Sequence, residues 1–322
     1  MNAPADDAAL LAELNARLGP LHARQRLGIE TEKNQQLVGG GRNLLHLEHS
    51  SLAASAIRGV LRLTGLYGRG RRNALALALH ENEFVLPRLP AAFDGLCLLH
   101  LSDLHLDMNE DTVPAIIERV RDLDYDLCVL TGDYRARTHG EVAGAIAGME
   151  RLRPHLRDPV YAVLGNHDSV RMIPAFEGMG IRMLLNEAVT LEREGAKLHL
   201  AGVDDAHFFR VDNLEKAAQA LSEPGAAVLL SHTPEIYRQA AHAGFDLFLC
   251  GHTHGGQICL PGGMPVILEA SIPRRLGRGV WQHGTMAGYT SRGAGTSVVD
   301  VRFNCAGEVA LHRLRASPSV AT

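Results

Sequence analysis

The sequence predicts an α/β fold, and three observations carry that prediction. Short apolar runs of strand length recur along the chain and are separated by segments with helical spacing. Several of these runs end directly in a polar motif, as a strand does when it delivers side chains to one edge of a sheet. The last part of the chain is rich in strand-like pieces, so the alternation of strand and helix closes on a β-rich end.

The elements follow in order. Residues 4–24 read as a short helix, with Leu10, Leu11, Leu14 and Leu18 near helical spacing, and a loop is expected through QQLVGGGRN (35–43). The stretch 51–80 holds five arginines and no acid, and its first half is helix-compatible with Ile57, Val60 and Leu61 on one side. One reading is peripheral attachment to anionic lipid or to an anionic substrate surface. The favoured reading is the solvated basic face of a packed helix, because glycines and a short apolar face make a poor interfacial helix. From Asn73, Leu75, Leu77 and Leu79 alternate with alanine, and EFVLPRLP reads as extended chain. This predicts the first strand of a domain spanning 73–322, with 1–72 as an N-terminal helical extension.

Beyond it, GLCLLHLSD is a strand and TVPAIIERVRDL a helix, with Val113, Ile116, Ile117 and Val120 on one face. DLCVLTGD is a strand, EVAGAIAGMERL a helix and VYAVLGNHD a strand. Residues 182–205 read as a hairpin turning at Glu194–Gly195. AAVLLSHTP and DLFLCGHTH are strands around the helix EIYRQAAHAG, and the tail ends in the strand-like VALHRLR.

Composition narrows the function classes. With 322 residues, 46% hydrophobic and 21% charged, the chain can build a sizeable core, and its composition argues against wholesale disorder. A net charge of -4 argues against bulk nucleic-acid binding. The five cysteines are scattered, without C-x-x-C, and read as buried small hydrophobes in a reducing compartment. The acidic start NAPADDAAL lacks the features of a signal peptide, and no apolar window of spanning length occurs. A cytoplasmic protein is expected, at most peripheral at the inner face of the membrane, with a weak contact through 51–72.

Eight residues stand just after apolar runs: Asp103 and His105 in SDLHLD, Asp133 in LTGDY, Asn166 and His167 in LGNHD, His232 in LLSHTP, and His252 and His254 in CGHTHGG. Each alone has a plain alternative as a turn, cap or loop residue. Together, in one order, they are what a two-metal hydrolytic centre needs. Carboxylate, amide oxygen and imidazole suit divalent Mn, Fe or Zn, and no cysteine belongs to the set.

At these residues the chain resembles the calcineurin-like metallophosphoesterases, whose pattern runs D-x-H, G-D, G-N-H-D/E, a lone His and G-H-x-H. GHTHGGQICLPG (251–262) and SRGAGTSVVDVRFN (291–304) bring it close to the YkuE/YaeI-like bacterial branch. The likeness covers roughly residues 73–316. It implies a four-layer αββα sandwich and hydrolysis of a phosphoester by attack of a metal-bridging hydroxide. By the family's roles, Asp103, His105 and His254 hold one ion, Asn166, His232 and His252 the other, and Asp133 bridges them. His167 is implied as the acid that protonates the leaving oxygen. The substrate expected is a small-molecule or lipid-linked phosphodiester or pyrophosphate. UDP-2,3-diacylglucosamine-type hydrolysis, cyclic-nucleotide hydrolysis and a non-catalytic scaffold stay open as alternatives. One departure is visible: Ala136 stands where protein phosphatases carry an acid, so Asp168, or no acid at all, is left to orient His167.

Overall fold

The computed structural model of the protein describes residues 3–38 and 51–317. Two helices come first, α1 (Ala3–Leu18) and α2 (Pro20–Val38), where the sequence predicted one helix over 4–24. The break follows from Gly19, whose φ is +89, and Pro20. Glycine ends a helix in the left-handed region, and proline opens the next helix because its missing N–H is not needed there. Of the loop expected over 35–43, residues 35–38 are helical and 39–43 lie outside the described residues.

Next come α3 (Ser51–Leu63) and α4 (Tyr67–Leu75). Ala54, Ile57, Leu61 and Tyr67 pack with Val299, Val301 and Phe303, so this basic stretch has a seated apolar side. The first strand, β1 (Ala78–Leu86), starts later than the alternation of leucine and alanine predicted. Asn73–Leu75 complete α4 instead. Leucine and alanine are both strong helix formers, and Gly70 and Asn73 fix α4 against Phe303 and the Arg302 carbonyl.

The chain then runs β2 (Cys97–Leu101), α5 (Thr112–Val120), β3 (Leu127–Thr131), α6 (Ala143–Leu152), β4 (Val160–Val163), α7 (Ile173–Gly178) and β5 (Ile181–Met183). It continues with β6 (Glu187–Arg193), β7 (Ala196–Gly202), α8 (Leu214–Ala217), β8 (Ala226–Leu230), α9 (Tyr237–Ala243) and β9 (Leu247–Cys250). The rest is the small hairpin β10 (Cys259–Leu260) and β11 (Met264–Pro265), then β12 (Gly279–His283), β13 (Met286–Thr290) and β14 (Glu308–Ala316). The hairpin β6–β7 turns where predicted: Arg193 pairs with Ala196, and Glu194 and Gly195 both have positive φ, as a two-residue hairpin turn requires.

These strands form two six-stranded sheets, ordered β1-β14-β2-β3-β4-β5 and β12-β13-β9-β8-β7-β6. β2 through β5 are parallel neighbours, as are β7, β8 and β9, so their carboxyl ends point the same way within each sheet. Parallel strands buried on both faces read as continuous apolar runs, which is how β2, β3, β8 and β9 appear. Leu98, Val129, Val163, Leu200, Val228 and Leu249 fill the layer between the sheets. On the outer side of the first sheet, Leu99 and Leu101 pack with α5 (Val113, Ile116, Val120) and α6 (Met149, Leu152). Leu10, Leu14 and Leu18 of α1 join that same cluster. On the outer side of the second sheet, Phe248 and Leu229 pack with Tyr237 and Ala240 of α9. The result is the four-layer αββα sandwich expected. No described helix is long and apolar enough to cross a membrane.

Candidate metal centre

The eight motif residues lie on loops that leave the carboxyl ends of central strands. β2 leads to Asp103 and His105, β3 to Asp133, β4 to Asn166 and His167, β8 to His232, and β9 to His252 and His254. All eight are buried, none more than 6% exposed. Ligand atoms of Asp103, His105 and His254 lie within 4.8 Å of one another, and so do those of Asp133, His232 and His252. The Asp133 Oδ2 atom stands between the two groups, 3.2 Å from His232 Nε2 and 4.0 Å from His105 Nε2. Asn166 belongs with the second group, its Oδ1 2.9 Å from His232 Nε2.

Local backbone explains how the loops come so close. Gly165 lies against Asp133 and Gly251 against Ser102 and Asp103, so a Cβ at either position would overlap those side chains. Glycine in G-D, G-N-H and G-H-x-H is therefore more than turn punctuation. Asp103, His105, Asp133, His252 and His254 all have positive φ, between 41° and 71°. Strain of this kind persists only where surrounding contacts hold it, and it collects at functional sites.

Neighbours aim the side chains. His105 Nδ1 is 2.8 Å from the Arg135 carbonyl and His232 Nδ1 is 2.8 Å from the Thr131 carbonyl. A carbonyl can only accept, so Nδ1 carries the proton in both rings and Nε2 faces the cluster. The Asp103 carboxylate accepts from the Ser102 hydroxyl at 2.6 Å and from the His252 amide at 3.0 Å. Arg302, fully buried, donates to the carbonyls of Arg292 at 2.6 Å and Gly295 at 2.7 Å, and places its guanidinium against His254.

The electrostatics fit cations. Burial pushes the Asp103 carboxyl above its ordinary range, with the nearby Asp133 charge adding to the effect. Burial also works against Asp133, yet His232, His167 and His105 hold it well below the usual carboxylate range. Burial would depress His232, but Asp133 and Asp103 raise it to about 10. Carboxylates that pull a buried imidazole that far up create a strong local demand for positive charge. Burial drives His252 and His254 the other way, well below the ordinary value, which keeps those rings neutral as metal ligands must be. The buried His252 Nε2 has no hydrogen-bond partner. Two buried carboxylates, amide and imidazole donors, and an orphaned ring nitrogen together suit a pair of divalent ions.

His167 sits beside the clusters, its Nε2 3.9 Å from Asp133 Oδ2. Its backbone is fixed from both sides: its N–H donates to Asp133 Oδ1 at 2.9 Å, and its carbonyl accepts from Arg135 Nε at 2.7 Å. The Asp168 carboxylate takes the backbone N–H groups of Asp133 at 2.7 Å, Gly165 at 2.8 Å and Tyr134 at 2.9 Å, shaping two of the loops. Thr138 is one residue the sequence reading missed: its hydroxyl lies 3.3 Å from His167 Nδ1. Nothing in one sequence marks that threonine, because it stands in a loop without periodicity.

A sandwich that gathers metal-binding donors at strand ends has the layout that suits metal-dependent hydrolysis. Comparison with known proteins narrows it. The family model for calcineurin-like phosphoesterases matches residues 98–256. The metallophosphoesterase YkoQ of Bacillus subtilis, itself uncharacterised, is 31% identical over 229 residues, covering 68% of this chain and 83% of that protein. YkuE of the same organism is 27% identical, covering 80% of this chain and 93% of that protein. The phosphodiesterase YaeI of Escherichia coli is 28% identical, covering 67% of this chain and 81% of that protein. The chain belongs to the calcineurin-like phosphoesterase family and is a metallophosphoesterase.

Proposed function

We propose that the protein hydrolyses a phosphodiester or pyrophosphate with two divalent ions, Asp103, His105 and His254 holding one, Asn166, His232 and His252 the other, and Asp133 both. The observation that carries this reading is the position of Asp133 Oδ2, within about 4 Å of imidazoles from both donor groups. When bound, such a pair of ions would neutralise charge on the phosphoryl oxygens and would make a water molecule more acidic. The chain's own part is to place and protonate. Asp103 and Asp133 set the spacing of the two groups through loops that glycine lets approach. His167 Nε2 delivers a proton to the leaving oxygen, and Thr138 and Arg135 keep the ring facing that way.

The name of the YaeI relative supports diesters over monoesters. A small-molecule or lipid-linked substrate fits the reading, with no bulk nucleic-acid partner. We place the protein in the cytoplasm, where its five free, buried cysteines suit a reducing environment. Membrane contact through 51–72 is weak at most. Val60 and Leu63 are exposed, but Ile57 and Leu61 are committed to internal packing, and Arg58 and Arg71 already face Asp300 and Asp111.

The test compares rates on bis(p-nitrophenyl) phosphate and on the p-nitrophenyl monoester after manganese loading, with Asp133→Asn as the blank. Faster diester cleavage supports the reading. Faster monoester cleavage, or neither rate above the blank, contradicts it.

A further inference from the structure

The α2 helix carries a polar stripe at i, i+4 and i+8: His22, Arg26 and Glu30. All three point into the protein. Arg26 is fully buried and Glu30 only 6% exposed. Charges taken this far from water persist only when they are partnered, and the partners here are two loops of the catalytic centre.

Glu30 holds the loop after β4. Its carboxylate accepts from the Ser169 hydroxyl at 2.7 Å, the Val170 amide at 3.0 Å and Arg171 at 3.1 Å. Arg26 holds the same loop one residue earlier, donating to the Asp168 carbonyl at 3.0 Å. Asn166 and His167 immediately precede these anchors, and the Asp168 carboxylate in turn shapes the Asp133 and Gly165 turns. On its other side the Arg26 guanidinium lies 3.3 Å from the Phe209 ring centroid, with Nε 3.4 Å from Asp204, in the loop after β7. His22 holds Asp204 at 2.8 Å. That second loop also reaches the centre, for His207 packs its ring against His252 with centroids 4.4 Å apart. One helix therefore ties a loop of the first sheet to a loop of the second, directly behind the donor residues.

We propose that Arg26 and Glu30 are positioning residues of the active site. They set where Asn166 and His167 stand, although they lie outside the stretch 98–256 that the family model matches. The N-terminal helices are then part of the catalytic unit. This rests on the hydrolytic reading of the centre, and the test separates the two.

The experiment uses the full chain loaded with manganese, and the variants Arg26→Met, Arg26→Lys and Glu30→Gln. Leu14→Ala serves as a control: it opens a cavity in the same helical hairpin and removes none of the polar contacts to the two loops. With bis(p-nitrophenyl) phosphate, kcat of Arg26→Met should fall on the order of tenfold or more, since small misplacements cost rate steeply. KM should stay within about twofold, as expected when substrate binding itself is untouched. Lysine keeps the charge but not the fork, so Arg26→Lys should recover only part of the loss. Glu30→Gln keeps its shape and decides the matter if Arg26→Met does not fold.

Hydrogen exchange supplies a readout independent of turnover. Amides over 165–171 should exchange about tenfold faster or more in Arg26→Met and Glu30→Gln than in the parent, as local opening predicts, and should be unchanged in Leu14→Ala. The proposal is overturned if the folded Arg26 and Glu30 variants keep parental kcat and parental exchange. It is also overturned if Leu14→Ala loses as much rate as they do. If the parent cleaves neither ester, the hydrolytic reading fails, and unchanged exchange over 165–171 would separately refute the brace.

Discussion

Asp103, His105, Asp133, His252 and His254 each hold a backbone conformation that L residues avoid, at roughly 1–2 kcal/mol apiece. The strain is tolerable because glycines beside them let loops from different strands come into contact. His167→Ala should cut turnover by about a hundredfold to ten-thousandfold while bound metal, measured by elemental analysis, stays at the parental level. Gly251→Ala should lower both metal content and rate, because its methyl group meets Ser102 and Asp103. Full metal content in Gly251→Ala would mean that the close approach is unimportant. The donors were readable in the sequence because each is a polar residue of ligand type placed directly after an apolar run. Thr138, Arg302 and Arg26 were not, because their roles come from contacts across the fold. A buried arginine looks like any other arginine until its surroundings are known.

Among the elements, the parallel strands were the most readable, since burial on both faces leaves an uninterrupted apolar run. The β6–β7 turn was equally plain from Glu194–Gly195. The less readable places are those where helix and strand preferences coincide. Leu75, Leu77 and Leu79 fit either period, and the contacts of α4 with Phe303 decided the outcome. β5, three residues long, is too short to leave a pattern. The pairing of α2 with the loop after β7 gives a pH prediction. Burial raises the Asp204 carboxyl, but Arg26 and His22 outweigh it and hold the carboxyl below its ordinary 3.8. A carboxylate with a depressed folded pKa stabilises the protein above its unfolded value and loses that effect as pH falls through the folded one. Asp204→Asn should therefore lower Tm most near neutrality, and the gap from the parent should shrink as pH drops below about 4. A gap that widens toward acid would contradict the sign of this interaction.

For the molecule as a whole, the two sheets matter because their strand ends meet over one site. The first sheet brings Asp103, His105, Asp133, Asn166 and His167, and the second brings His232, His252 and His254. β14, the last strand among the described residues, inserts between β1 and β2, so Glu308–Ala316 is built into the sheet that carries Asp103. Sequence order alone does not reveal such an insertion, because periodicity marks a strand without naming its neighbours. The α1 and α2 helices illustrate the same limit. Their leucine stripe was visible, but its place in the core beside α5 and α6 was not. Asp133 is proposed to join two ions into one centre. Native mass spectrometry of the manganese-loaded parent and of Asp133→Asn tests it most directly. The parent should carry two ions per chain, and Asp133→Asn should lose affinity for both. A parent that holds only one ion, or an Asp133→Asn chain that keeps two with parental affinity, would contradict the account.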